Sequence, residues 1–154
     1  MCTLNCQILC TVNYRLHLSQ ADFSILKQLP KLKKLKLQEC RLTKIPSSVF
    51  SLSALEELDI YLNYISEIPE GLFNLSNLKA LQIGGNNLKA LSPNISKLSK
   101  LECIEFSSTQ IMKLPNEMIN LKFLKEIYPN DTMIYIPNKL KPFLASSCYF
   151  VTRR

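Results

Sequence analysis

The residues best suited to chemistry are the six cysteines and the single histidine of this 154-residue chain. Cys2, Cys6 and Cys10, together with His17, offer the thiolate and imidazole ligands that suit zinc. Successive cysteines in this group are four residues apart, which differs from the Cys-x-x-Cys spacing usual in zinc sites. We therefore expect no metal site and no cofactor, and we interpret the three cysteines as part of an N-terminal cap.

A catalytic cysteine needs a histidine within hydrogen-bonding distance and a third group that orients the pair. His17 is the only histidine in the sequence. Whether Cys40, Cys103 or Cys148 can approach it depends on where the chain places these residues. That question turns on the structural elements that the sequence predicts.

A spacing of 23 residues organises most of the chain. Apolar residues recur at this spacing in three parallel series: Leu32, Leu55, Leu78, Leu101 and Leu124; Leu35, Leu58, Leu81, Ile104 and Ile127; and Leu37, Ile60, Ile83 and Phe106. Self-similarity with a period of about 20 to 29 residues is typical of a solenoid, in which each repeat stacks on its neighbours.

Each repeat predicts a short strand, a bend and a return segment. The alternation Leu81-x-Ile83 predicts a strand with one buried face. Polar side chains that can bond the backbone of the bend follow the strands at Cys40, Asn63, Asn86, Thr109 and Thr132. The steps Ile45-Pro46, Ile68-Pro69 and Leu114-Pro115 predict short helices, because proline fixes φ and suits a first helical turn.

This pattern resembles the leucine-rich-repeat family, and in particular the 23-residue subtype found in intracellular Ras-suppressor-like scaffolds. The resemblance covers roughly residues 16–144. It implies an α/β fold: a right-handed solenoid with a parallel sheet on the concave face and short helical or irregular segments on the convex face. It also implies a protein–protein interaction module that acts as a scaffold or regulatory adaptor, for example in signalling.

We expect one domain over residues 1–154. An irregular N-terminal coil or cap is predicted for residues 1–31, where Ala21 takes the place of the polar bend residue. Four regular repeats are predicted for residues 32–123, followed by a degenerate last repeat and a C-terminal cap over residues 124–154. In that last repeat Pro129 replaces a strand leucine, which is tolerated at the edge of a sheet.

Stacked coils would keep the candidate catalytic residues apart. With coils about 4.8 Å apart, Cys103 lies about 19 Å from His17, and Cys148 lies at the opposite end of the solenoid. Cys40 is expected to point inward while His17 points outward. Gly84-Gly85 is interpreted as turn geometry that also leaves a shallow gap in the middle of the sheet. The chain is therefore predicted not to be an enzyme and to have no small-molecule substrate.

Strand side chains alternate in direction, so the polar residues between the buried ones are predicted to line the concave face. These candidate partner-binding residues are Lys34, Lys36, Glu57, Asp59, Tyr61, Gln82, Glu105 and Tyr128. The row is basic at its N-terminal end and acidic further along. One interpretation is simple pairing of opposite charges across neighbouring strands. The other is a bipolar binding surface with the two tyrosines as anchors.

The formal net charge of +7 allows nucleic acid, an anionic membrane or an acidic protein as a partner. The lysines are scattered, which favours a role in solubility, and no apolar run reaches the roughly 18 residues that span a membrane. Residues 1–14 lack the features of a secretory signal. We therefore predict a cytoplasmic protein that is monomeric when unbound and binds a protein partner. The alternative is a secreted or surface recognition protein with disulfide-capped ends.

Overall fold

The structure is a computed structural model that describes the backbone of residues 8–10, 20–129, 134–147 and 149–150. Seven short parallel strands lie side by side in chain order. They are β1 (Ile8–Cys10), β2 (Lys34–Lys36), β3 (Glu57–Asp59), β4 (Ala80–Gln82), β5 (Cys103–Glu105), β6 (Glu126–Tyr128) and β7 (Tyr149–Phe150). This arrangement confirms the predicted parallel sheet.

The register of the sheet equals the period of the sequence. Leu35 pairs with Leu58, Leu58 with Leu81, and Leu81 with Ile104. The backbone repeats the same bonds at each step: Ile60 N–H donates to the Gln82 carbonyl at 2.9 Å, and Ile83 N–H donates to the Glu105 carbonyl at 2.8 Å. Residues that are 23 apart in sequence therefore lie next to each other on neighbouring strands.

Short 3₁₀ helices return the chain along the other side of each coil. Their bounds are Gln20–Gln28, Ser47–Ser51, Glu70–Asn74, Pro93–Lys97 and Asn116–Asn120. Pro46, Pro69 and Pro115 lie one residue before their helices, not inside the first turn. The reason is that their carbonyl groups close the turn: Val49 N–H, for example, donates to the Pro46 carbonyl at 3.0 Å. Only Pro93, among the described helices, occupies the first helical position.

The apolar series form one continuous core that runs from Phe23 to Leu144. Leu35, Leu81 and Ile104 are fully buried, as are their counterparts on the return segments, such as Leu72 and Ile95. Burial of each such side chain contributes about 1.5–3 kcal/mol relative to exposure. Since a single coil has no interior of its own, this burial exists only where coils stack in phase.

Asparagine side chains bind the bends of neighbouring coils together. The Asn86 amide oxygen accepts a hydrogen bond from Ile65 N–H at 3.0 Å, and its amide nitrogen donates to the carbonyls of Ile60 and Ile83 at 3.0 and 2.9 Å. Asn63 makes the equivalent bonds one coil earlier, with Leu42 N–H and the Leu37 carbonyl. At the equivalent position of the next coil, the Thr109 hydroxyl donates to the Phe106 carbonyl at 2.7 Å and accepts from Ile111 N–H at 3.4 Å. Thr132 lies outside the described residues.

Every described bend uses the same left-handed backbone position. The residues there are Glu39, Leu62, Gly85 and Ser108, with φ between 53° and 62°. Gly85 adopts this conformation without a steric cost, which confirms its interpretation as turn geometry. The other three residues carry a side chain in a conformation that costs roughly 1 kcal/mol, and the stacked coils enforce it.

The strand before Pro129 was expected to be the edge of the sheet, and the structure differs from this expectation. Strand β6 is not the edge of the sheet, because β7 pairs with it through Ile127 and Phe150. Pro129 is buried immediately after β6, at the position where Ile83 and Phe106 donate their N–H groups to the next strand, so proline lacks the donor that would continue this series. Helix α1 (Lys141–Ser147) follows, and its Leu144 belongs to the core. Leu144 thereby extends the core past the last coil.

At the N-terminal end, residues 1–7 and 11–19 lie outside the described part of the chain. Within the expected irregular coil, the structure places β1 and the 3₁₀ helix Gln20–Gln28. None of the helices in the described ranges combines the length and apolar character needed to cross a membrane.

Substitution of Leu81 by Asp tests the buried register directly. Leu81 is fully buried between Leu58 and Ile104, so the new carboxylate has no partner and no water. We expect a loss of more than about 4 kcal/mol in the free energy of unfolding, which is a large fraction of the roughly 5–15 kcal/mol that stabilises a native protein. The measurement is urea denaturation followed by circular dichroism. Ser99→Asp at an exposed turn is the control and should change stability by less than about 0.5 kcal/mol. Cooperative unfolding of Leu81→Asp at the wild-type midpoint would contradict the register.

Candidate functional site on the concave sheet

The outward-facing residues of the central strands form two adjacent rows on the concave sheet. The first row contains Lys34, Glu57, Ala80, Cys103 and Glu126, and the second contains Lys36, Asp59, Gln82, Glu105 and Tyr128. Each residue is the register partner of the next in its row. The structure thus brings seven of the eight candidate residues together on these strands, and Tyr61 follows two residues after β3.

The basic end of the site is partly neutralised. Lys34 Nζ lies 2.6 Å from a Glu57 carboxylate oxygen, and both side chains are 43% exposed. An exposed pair of this kind contributes only about 0.2–1 kcal/mol. The interpretation of cross-strand pairing is therefore correct for these two residues. Lys36 is exposed beside Asp59 in the second row.

Asp59 is buried, with 4% of its surface exposed. One carboxylate oxygen accepts a hydrogen bond from Tyr61 N–H at 3.1 Å, and the other accepts one from the Gln38 side-chain amide. These bonds fix the Asp59 side chain at the end of β3, against the backbone of Tyr61 and the side chain of Gln38. Asp59 thus supports the surface and is itself little exposed. The neighbouring Lys36 and Tyr61 are more accessible than Asp59.

Glu105 fills the gap that the sequence predicts at Gly84. A Cβ atom at Gly84 would lie 2.5 Å from both Glu105 carboxylate oxygens, so the space is already occupied. The same carboxylate accepts hydrogen bonds from Gly84 N–H at 3.1 Å and Ser107 N–H at 2.9 Å, and from the Ser107 hydroxyl. The expectation of an open gap for a partner side chain is therefore wrong. Glycine at position 84 instead lets Glu105 reach the backbone.

The far end of the sheet contains a shallow, open depression of about 310 Å³. Its lining residues are Gln82, Cys103, Glu105, Glu126 and Tyr128. We call these five residues the acidic face. Within it, the Tyr128 hydroxyl donates a hydrogen bond to Glu126 at 3.1 Å.

The Cys103 thiol is half-buried on the acidic face. Burial, and after it the nearby carboxylates of Glu126 and Glu105, together raise its pKa to about 11, because both disfavour a thiolate. The thiol is therefore neutral at physiological pH, which is the opposite of the activated state that a cysteine nucleophile requires.

A third row of residues, each directly before a strand, alternates between positive and negative charge. The sequence analysis did not predict this row. Its members are Lys33, Glu56, Lys79, Glu102 and Lys125. Glu56 bridges Lys33 at 2.9 Å and Lys79 at 2.7 Å, and Glu102 bridges Lys125 at 2.7 Å. The 23-residue period, applied to the position before each strand, was the available signal.

The ion pairs in this row shift the ionisation of its members. Hydrogen bonds from Lys79 and Lys33 lower the pKa of Glu56 to about 2, and a hydrogen bond from Lys125 lowers the pKa of Glu102. Since the folded-state pKa of Glu56 lies below its ordinary value of 4.5, the stabilisation is present above pH 4.5. It is lost as the pH falls toward about 2.

The candidate metal ligands Cys2, Cys6, Cys10 and His17 have side chains outside the described part of the structure. Among the described residues, no group of three or more His, Cys, Asp or Glu side chains could hold a metal ion. Cys40 and Cys103 are both half-buried, and the Cys40 thiol donates to the Gln38 carbonyl at 3.2 Å.

The known proteins that this chain matches have leucine-rich repeats. Residues 30–88 match the family model described as leucine rich repeat. A search of curated proteins found no match. Among solved structures, a leucine-rich-repeat protein of Leptospira interrogans is 29% identical with a TM-score of 0.72, covering 82% of this chain and 32% of that one.

Two internalins of Listeria monocytogenes are also similar. Internalin C2 is 27% identical with a TM-score of 0.70, covering 89% of this chain and 56% of its own. Internalin F is 22% identical with a TM-score of 0.63, covering 84% of this chain and 44% of its own, and that likeness concerns the fold alone. The chain therefore spans between about a third and just over half of the length of these structures.

Alkylation of Cys103 tests the electrostatics of the acidic face. The raised thiol pKa predicts that, near pH 8, iodoacetamide modifies Cys103 of the folded protein about a hundredfold more slowly than Cys103 of the urea-unfolded chain. Peptide mapping by mass spectrometry measures both rates. Glu126→Gln should increase the folded-state rate, because it removes the nearest negative charge. Equal rates in the folded and unfolded protein would contradict this description of the face.

Proposed function

Because the chain folds as a leucine-rich-repeat solenoid, we propose that it is a non-enzymatic protein–protein interaction module that binds a protein partner on its concave sheet. Leucine-rich-repeat domains generally serve this purpose, and residues 30–88 match their family model. The finer assignments belong to the same proposal: a scaffold or regulatory adaptor of the 23-residue intracellular subtype, located in the cytoplasm.

The observation that carries the proposal is the difference between the two sides of the sheet. The inward side is covered by the apolar core, whereas the outward side presents two in-register rows of charged, polar and aromatic residues. Parallel sheets with both faces covered read as continuous apolar runs, and these strands alternate instead. Such an open, preorganised polar surface suits recognition of another protein, with Tyr61 and Tyr128 as aromatic anchors.

The convex side is a poorer candidate for specific binding. Its coils return through short 3₁₀ helices, and its ion pair between Lys97 and Glu70 is long, at 3.9 Å. Lys100 donates instead to the Asn77 side chain at 2.7 Å. These lysines lie on return segments and turns, which fits a role in solubility.

Charge reversal on each side separates the two surfaces. Lys34→Glu with Lys36→Glu changes the concave sheet, and Lys97→Glu with Lys100→Glu changes the convex side by the same net charge. The control is matched in charge, and it breaks the exposed ion pair Lys97–Glu70 as the concave variant breaks the exposed ion pair Lys34–Glu57. Both should alter the free energy of unfolding by less than about 1 kcal/mol.

The measurement is affinity capture from native lysate with quantitative mass spectrometry. We expect the concave variant to lose its specific partner by at least about tenfold, and the convex variant to retain it. Retention of the partner by the concave variant, together with its loss from the convex variant, would refute the proposed binding surface.

A further inference from the structure

The acidic face differs in sign from the molecule that carries it. The chain as a whole has a formal net charge of +7. On the acidic face, however, the acidic residues are Glu105 and Glu126, and none of its five residues is a lysine or arginine. A surface of this sign on a basic protein attracts cations and repels phosphate groups.

Within the described residues, the ion pairs use other carboxylates: those of Glu56, Glu57, Glu70 and Glu102. The described hydrogen bonds to Glu105 come from uncharged donors, the backbone of Gly84 and the backbone and hydroxyl of Ser107. Glu126 accepts from the Tyr128 hydroxyl. Both carboxylates are therefore oriented by neutral groups, and none of the ion pairs found within the described residues involves either of them.

We propose that the acidic face binds lysine or arginine side chains of an extended segment of a protein partner. This proposal rests on the proposed function, because it names the chemistry of the segment that the concave sheet recognises. The partner cation would lie in the open depression that the Glu105 and Glu126 side chains border on adjacent strands.

Three features of the face suit this occupant. Glu105 is held by bonds to the backbone, so a cation that binds it loses little additional freedom of the carboxylate. Tyr128 borders the same depression and offers a ring against which the aliphatic part of a lysine or arginine can pack. The half-buried neutral thiol of Cys103 and the amide of Gln82 add no opposing charge.

The extended form of the segment follows from the shape of the site. The depression is shallow and open and continues toward a second one of about 280 Å³, which is lined by Glu57, Ala80, Cys103 and Glu126 together with Lys79, Glu102 and Lys125. Cys103 and Glu126 border both depressions. An extended chain presents every second side chain to one surface, so alternating basic residues can follow the rows across the strands.

Fluorescence anisotropy with defined peptides tests the proposal. The probe is a labelled peptide of alternating lysine and serine, and the reference is the same peptide with glutamate in place of lysine. At low ionic strength we expect the lysine peptide to bind and the glutamate peptide not to bind. Glu126→Gln or Glu105→Gln should each weaken binding about threefold, and the double variant about tenfold.

Glu67→Gln is the matched control, because Glu67 is exposed and lies outside the sheet. It removes the same charge from the chain and should leave the affinity unchanged. Thermal melting of each variant checks folding. Glu126→Gln is the less disruptive variant, because Glu126 accepts from the Tyr128 hydroxyl and the Cys103 thiol, whereas Glu105 accepts from two backbone N–H groups.

Three outcomes would overturn the proposal: no binding of the lysine peptide at low salt, stronger binding of the glutamate peptide, or equal weakening by Glu67→Gln and by the substitutions on the acidic face. None of these outcomes depends on Lys34 or Lys36, the residues that test the proposed function. If the peptide test fails and the concave charge reversal still abolishes partner capture, the concave sheet binds a partner of different chemistry.

Discussion

The structure depends on one constraint: successive coils must stack in phase, because no single coil can bury its own aliphatic side chains. Leu58, Leu81 and Ile104 are register partners on adjacent strands, and they are buried because the neighbouring coils cover them. The backbone follows the same rule, since each strand bonds to the next and Asn86 links the bends of adjacent coils. A slip of one residue would expose the apolar set and bury the charged one.

The same register determines the surface. Side chains that are 23 positions apart become neighbours, so whether a charged side chain is paired depends on the residue at the same position of the next coil. Where signs alternate, as between Lys33, Glu56 and Lys79, the charges pair and become part of the scaffold. Where signs repeat or partners are neutral, as at Glu105 and Glu126, the negative charge stays available at the surface. The period thus separates structural charges from those that can face a partner.

Much of the fold was accessible from the sequence, because burial repeats with the period and the buried residues are chemically uniform. The strands, the return helices and the bend asparagines follow from that regularity. The site was harder, because its geometry depends on how individual side chains reach across strands. Gly84 suggested an open gap, but its missing side chain accommodates the Glu105 carboxylate. Asp59 was grouped with the surface residues, although hydrogen bonds from Gln38 and Tyr61 hold it in a buried position.

Formation of a disulfide between adjacent strands is the most direct test of in-phase stacking. Ala80 and Cys103 are register partners on the outward face, and parallel strands about 4.8 Å apart fall within the roughly 4.4–6.8 Å between Cα atoms that a disulfide spans. Mild oxidation of Ala80→Cys, mapped by mass spectrometry, should give a bond between positions 80 and 103. Lys89→Cys, at an exposed position outside the strands, should not bond to Cys103. Failure of the Ala80→Cys thiol to pair with Cys103, while it reacts with other thiols, would contradict the in-phase stacking.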